Sequence, residues 1–207
     1  MVVVHLPPPS RSIAPEFVTL SRNDVLIRIF DPTKYEATAT SFRNYGAVSR
    51  FDHHRNLADK LDAERSVIYA GLTLSCCLVE IFGDGGIVSV KQQQLAFITL
   101  KEKIKLLDLR GSAAMVAGTV SALSSITERY ISQAWGRYFY ENPQLYGEID
   151  GLIFAGAHNG EDAVCLYERA KRKIASAKVE VLNLNHPDLR DSILSIAKNH
   201  SLIVNPY

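Results

Sequence analysis

SVIYAGLTLSCCLVEIFG, residues 66–83, changes its hydrophobic period in mid-course. Residues 66–70 read as a short β-strand. From there Leu74, Cys77, Leu78, Ile81 and Phe82 recur at helical spacing, and Gly83 stops the helix. Upstream, DVLIRIF at 24–30 reads as another strand, apolar on both faces except at Arg28, and Asp31-Pro32 ends it. Downstream, 95–100 and 104–109 read as strands. Ala113, Val116, Ala117, Val120 and Leu123 suggest a helix of small residues. Ser125-Ile-Thr-Glu128 fits a capping box for a helix burying Tyr130, Ile131, Ala134, Trp135, Tyr138 and Phe139, which Asn142-Pro143 closes. Strands are expected at 151–155, 163–167 and 179–182, and a last amphipathic helix carries Leu189, Ile193, Ile196 and Ala197. Helices interrupt the strands irregularly, with no βαβ alternation and no internal repeat. The expectation is a single α+β domain around a mostly antiparallel sheet, over 24–207. It follows an extended arm over 1–23, where Pro7-Pro8-Pro9 and Pro15 stand.

Composition narrows the function classes. The chain has 207 residues, 47% hydrophobic and 22% charged, ordinary for a globular domain with a real core. Its 23 basic and 22 acidic side chains leave a net charge of +1, too little for a broad field that holds a phosphate backbone. A local basic pocket for one anionic ligand stays open. Three cysteines, Cys76, Cys77 and Cys165, make neither a disulfide framework nor a C-x-x-C zinc motif. The start, MVVVHLPPPSRS, has neither the basic region nor the apolar run of a signal peptide, and residues 111–126 are too short and too polar to span a bilayer. A cytoplasmic protein, with no membrane and no metal, is the expectation.

Familiar catalytic signatures are missing: no P-loop, no Rossmann glycine turn, no G-x-S-x-G and no H-E-x-x-H. His53-His54 reads as a solvated pair, since neighbours on an extended segment point to opposite sides. Arg28 inside an apolar strand needs an anionic or multiply accepting partner; taken alone it reads as half of a structural ion pair or as an exposed strand face. Arg50, beside Phe51, reads alone as a solvated loop arginine. Glu80 falls well round from the apolar stripe of its helix, so it faces either solvent or a cleft.

In order along the chain, these pieces resemble the RES domain, a family of bacterial toxins paired with helix-turn-helix antitoxins. The resemblance rests on Val25-Leu-Ile-Arg28-Ile, Ser49-Arg50-Phe51, Val67-Ile-Tyr69-Ala70 leading into Leu78-Val-Glu80, Gln133-Ala-Trp135, Asp150-Gly151-Leu-Ile-Phe154 and Cys165-Leu166-Tyr167. It implies a fold related to ADP-ribosyltransferases and a pocket that cleaves the nicotinamide–ribose bond of NAD, by hydrolysis, phosphorolysis or transfer to a protein. Glu80 then matches the carboxylate that stabilises positive charge on the ribose. Arg28 and Arg50 match the basic positions that fork onto the diphosphate. Tyr69 matches the tyrosine that stacks on nicotinamide or ribose.

One position departs from that pattern. Gly156 stands where the family's serine is expected, with Ala157 where a basic residue is common. A backbone amide of the 156–160 loop takes the serine's place, or His158 or Asn159 reaches in, or activity is weakened. Two readings follow: an NAD-consuming toxin restrained by an antitoxin, or a nucleotide- and partner-binding module without turnover. A homodimer is compatible with either.

Overall fold

A computed structural model describes residues 3–55 and 60–205. The chain opens with β1 (Phe17–Leu20), β2 (Val25–Phe30), β3 (Tyr45–Gly46), β4 (Lys60–Leu61) and β5 (Val67–Gly71), then α1 (Leu74–Phe82). β6 (Ile87–Val88), β7 (Gln94–Thr99) and β8 (Ile104–Asp108) lead to α2 (Gly111–Val116), α3 (Arg129–Glu141) and α4 (Pro143–Tyr146). β9 (Gly151–Ala155), β10 (Asp162–Tyr167), α5 (Lys171–Ala175), β11 (Lys178–Asn183), α6 (Arg190–Asn199) and β12 (Ile203–Val204) complete it.

Among the described residues eight strands form one sheet in the order β1-β8-β9-β10-β5-β2-β7-β11. Each neighbouring pair is antiparallel except β8 with β9. The fold is therefore α+β around a mostly antiparallel sheet, as the patterning predicts. Strict alternation splits the middle strands between two buried faces. Leu106, Ile153, Val164 and Leu166 pack with Ile174 of α5 on one side; Leu107, Leu152, Phe154, Cys165 and Tyr167 pack with Trp135 and Phe139 of α3 on the other. Burial on both faces explains why β9 and β10 read as continuous apolar runs rather than alternating ones. Among the described residues no helix is long and apolar enough to cross a membrane.

The sheet has one weak seam. β2 and β5 share a single register pair, Ile27 with Gly71, whereas β2 is paired to β7 along its whole length. Beyond that pair the two strands splay. The chain from 37 to 46 fills the far end of the gap, where Arg43 bridges to Val67 through both backbone hydrogen bonds.

Helix α1 keeps the predicted span and stop, with Thr73 Oγ1 accepting from the Cys76 amide as N-cap. A nine-residue helix does not persist alone. Burial of Leu78 and Phe82, each roughly 1.5–3 kcal/mol, seats it on the β2–β7 side. Its buried residues are Cys76, Cys77, Leu78, Val79 and Phe82, so Ile81 leaves the expected core stripe and is 46% exposed beside Glu80.

Three other expectations change. The capping box does not form: Ser125 Oγ donates back to the Ala122 carbonyl and closes a 3-10 turn, and α3 starts at Arg129 without a side-chain cap. Tyr130 of that helix is exposed rather than buried. Residues 17–20, expected in the arm, form the sheet's edge strand because Val18 and Leu20 alternate onto the β5–β10 core. The preceding residues lie against the body: Trp135 Nε1 donates to the His5 carbonyl at 2.7 Å. Residues 1–2 of the arm, and 56–59 of the polar stretch 34–62, lie outside the described residues.

Candidate functional site

Where β2 and β5 splay, a cleft of about 1140 Å³ opens, walled by Arg28 and Ile29 of β2, Val67–Gly71 of β5 and Glu80 and Ile81 of α1. It is somewhat larger than the usual small-molecule pocket, which runs to about 1,000 Å³. Arg28, Tyr69 and Glu80 thus reach one cavity from three elements; Arg50 and Gly156 do not line it. Cys76 and Cys77 do, but burial pushes the Cys77 thiol up to about 12 and Cys76 higher still, so neither supplies a thiolate at neutral pH.

Arg28 forms no ion pair among the described residues. Its Nη1 donates to the Ser41 carbonyl at 2.8 Å and the Ala39 carbonyl at 3.4 Å, tying β2 to the loop that floors the cleft. Burial, with the charge of nearby Arg43 added, pulls the guanidinium down to about 10. A half-buried cation without a carboxylate keeps part of its desolvation cost, which an anionic ligand would offset. Neither an exposed strand face nor a structural ion pair describes it.

Tyr69 is held by a residue the sequence reading did not single out. Its hydroxyl donates to Asp52 Oδ1 at 2.9 Å and accepts from the Phe51 amide at 3.2 Å. Asp52, fully buried, also takes both 2.8 Å bonds from Arg43 Nη2 and the amides of Val48 and Ser49. This hub fixes the loop, Arg43 and the tyrosine ring together. Burial and the Asp52 charge push the Tyr69 phenol well above its ordinary range, so the ring meets a ligand as a neutral surface.

Arg50 is not a solvated loop residue. Its Nη1 donates to the Ile126 carbonyl, and its loop is pinned to α3, where Gln133 Nε2 donates to the Ser49 carbonyl at 3.1 Å. Gly136 lets that helix approach, since a Cβ there would stand 2.8 Å from the Phe51 carbonyl oxygen. Burial lowers the Arg50 pKa, partly offset by the charge of Glu80.

The Glu80 side chain is about one-third exposed, and its Oε1 accepts from the His158 amide at 3.3 Å and faces His158 Nδ1 at 3.2 Å. A Cβ on Gly156 would come 2.8 Å from the same oxygen.

The histidine pair is corrected by the structure. His53 and His54 are both fully buried. His53 Nε2 bonds Glu168 at 2.9 Å, and His54 Nε2 lies 3.2 Å from the Arg43 carbonyl. Among the described residues no group of three or more His, Cys, Asp or Glu side chains is arranged to hold a metal ion.

The family profile of the RES domain matches residues 25–191. The chain belongs to the RES-domain family. Its fold also resembles a chain of the M. tuberculosis MbcT–MbcA toxin–antitoxin complex, with a TM-score of 0.56 over 86% of this chain and 92% of that one, at 13% identity. That is a likeness of fold. No curated protein sequence matches the chain. The matched span of the RES domain contains each wall of the cleft named above, together with Arg50, Asp52, Gly156 and His158.

Proposed function

We propose that this RES domain is an enzyme that consumes NAD by breaking its nicotinamide–ribose bond. The carrying observation is that a half-buried cation without a carboxylate partner, Arg28, and a carboxylate, Glu80, wall one cleft. NAD offers the complement to both: an anionic diphosphate, and a ribose that becomes cationic as the bond breaks. The electron pair of that bond goes to the pyridinium nitrogen, so nicotinamide leaves neutral and needs no proton donor. The site must then bind the diphosphate and stabilise the ribose cation. Arg28 serves the first task, aided by Arg50 if that side chain turns from Ile126. Glu80 serves the second, and the neutral Tyr69 ring offers a stacking face. Water or phosphate then bonds to the ribose carbon and loses its proton to solvent.

Incubating the purified protein with NAD, with and without phosphate, tests this. Free nicotinamide is expected in both reactions if water is the acceptor and only with phosphate if phosphate is, and ADP-ribose or its phosphate ester identifies which. Intact NAD in both reactions contradicts it, and the second reading, a binding module without turnover, then replaces it. That reading is favoured by Gly156, which has no side chain to offer a ligand.

An enzyme of this kind must be restrained in the cytoplasm, and the partner proposed is a helix-turn-helix antitoxin whose terminal segment fills the cleft. Tyr35, Tyr45, Val48, Leu61 and Ile81, all exposed apolar side chains along the cleft, suit such a segment. Co-expression with the neighbouring gene should relieve growth arrest; persistent arrest counts against that partner.

A further inference from the structure

His158 lies in the loop between β9 and β10 with both ring nitrogens against carboxylates. Nδ1 is 3.2 Å from Glu80 Oε1 and Nε2 is 3.0 Å from Asp84 Oδ1. A neutral imidazole has one N–H and one bare lone pair, so it satisfies one carboxylate and turns its lone pair on the other. Only the imidazolium donates to both. The ring lies over Gly83, where a Cβ would meet His158 Cδ2 at 2.5 Å, at the C-terminal end of α1, whose partial negative charge favours a cation. Burial opposes the charge, but the bonds to Asp84 and Glu80 outweigh it and raise the ring above its ordinary 6.5. Among the neighbouring charges, Arg50 also interacts with Glu80 and Asp84, while Glu161 of the same loop is engaged by Thr73 and Ser75.

We propose that His158 is a positioning residue for Glu80: an imidazolium held between Glu80 and Asp84 grips the glutamate by Oε1 and leaves Oε2 for the ribose. Oε2 accepts no hydrogen bond among the described residues, and the backbone amide of His158 adds a second hold on Oε1. Two carboxylates around one imidazolium keep one net negative charge, so a cationic ribose still meets an attractive site. Glycine at 156 makes room for this grip. The inference rests on the reading of Glu80 as the ribose-facing carboxylate and adds the group that orients it.

The grip is read first without chemistry, by nitrogen-resolved imidazole spectra at neutral pH. His158 is expected doubly protonated, with a titration midpoint above the ordinary value that falls in Glu80→Gln and in Asp84→Asn. A neutral, single-tautomer His158 overturns the proposal whatever the protein does with NAD. Its role is read second, from turnover. His158→Ala should lower kcat about tenfold to a hundredfold with KM nearly unchanged, the cost of a loosened reacting group. His158→Asn, whose amide nitrogen stands near the place of Nδ1, should recover most of that loss. The wild-type rate should fall as pH rises through the His158 titration, and this limb should vanish in the Asn variant. A His158→Ala protein at the wild-type rate, or an Asn variant no better than Ala, overturns the role. Wild-type protein with a doubly protonated His158 and no NAD consumption overturns the NAD reading and the positioning role with it, separately from the grip.

Discussion

The Glu80 carboxylate occupies the space a side chain at residue 156 would need: a Cβ on Gly156 comes 2.8 Å from Glu80 Oε1 and 3.3 Å from the Glu161 carbonyl oxygen. A glycine at 156 and the seat of the Glu80 carboxylate are therefore one feature. Gly156→Ser should fold, because the closer atom is the end of a flexible side chain. It should also push Glu80 off His158 and slow NAD turnover about tenfold. Melting temperature and nicotinamide release check the two halves. A serine variant faster than wild type would mean the glycine is a loss of function, and would favour the binding module.

Arg28 separates stability from binding. Its half-buried charge has no carboxylate, so Arg28→Met, which keeps the aliphatic bulk, should leave the melting temperature unchanged or higher. The same change should raise KM for NAD tenfold or more, since a diphosphate contact is made in ground and transition states alike. A Met variant that melts well below wild type would show that the two carbonyl bonds matter more than the charge.

Asp52 is the structural keystone of the cleft floor. Asp52→Asn removes the charge facing Arg43 and should cost about 2–3 kcal/mol, less than a fully buried pair because the Arg43 side chain is 32% exposed. Tyr69→Phe removes only a hydroxyl bridge and should cost about 1 kcal/mol. Urea denaturation of both variants measures the order of effects.

Acid should unfold the protein in two stages. Burial holds His53 neutral and lowers its pKa, so as pH falls below about 6.5 the unfolded chain binds a proton that the folded chain refuses. Glu168 has the opposite local balance. Burial raises its pKa, but the bonds from His53 and Tyr140 outweigh this and bring it from 4.5 to about 2. Its contribution, about 3 kcal/mol, is present above 4.5 and lost as pH falls toward 2. Glu168→Gln should flatten the lower stage and deepen the upper one, because the bond and charge of Glu168 hold the His53 pKa up against burial; denaturant midpoints across pH read both.

What the sequence made legible follows from range. The helix over 74–82 and the strands around 25–30 and 67–71 carry their signals locally, in period and in Gly or Asp-Pro stops, and they sit where those signals put them. Arg28 was conspicuous as a charge in an apolar strand, yet the carbonyls of Ala39 and Ser41 that receive it could not be named. The buried histidines failed for the same reason. His53 is made tolerable by Glu168, 115 residues away, and nothing near residue 53 announces it. Asp52 and Arg43 carry no local signal inside a polar loop, because their importance lies in mutual contact. At 125–128 the capping-box pattern was present, but Ser125 is used to end one turn rather than begin the next helix.

Glu80→Gln tests the account at its centre. The change keeps size and shape and removes the charge set against the ribose cation, so kcat for NAD cleavage should fall on the order of a hundredfold or more while NAD affinity stays nearly constant. A Glu80→Gln protein that releases nicotinamide at the wild-type rate would contradict the carboxylate's role, and with it the proposed chemistry of the cleft.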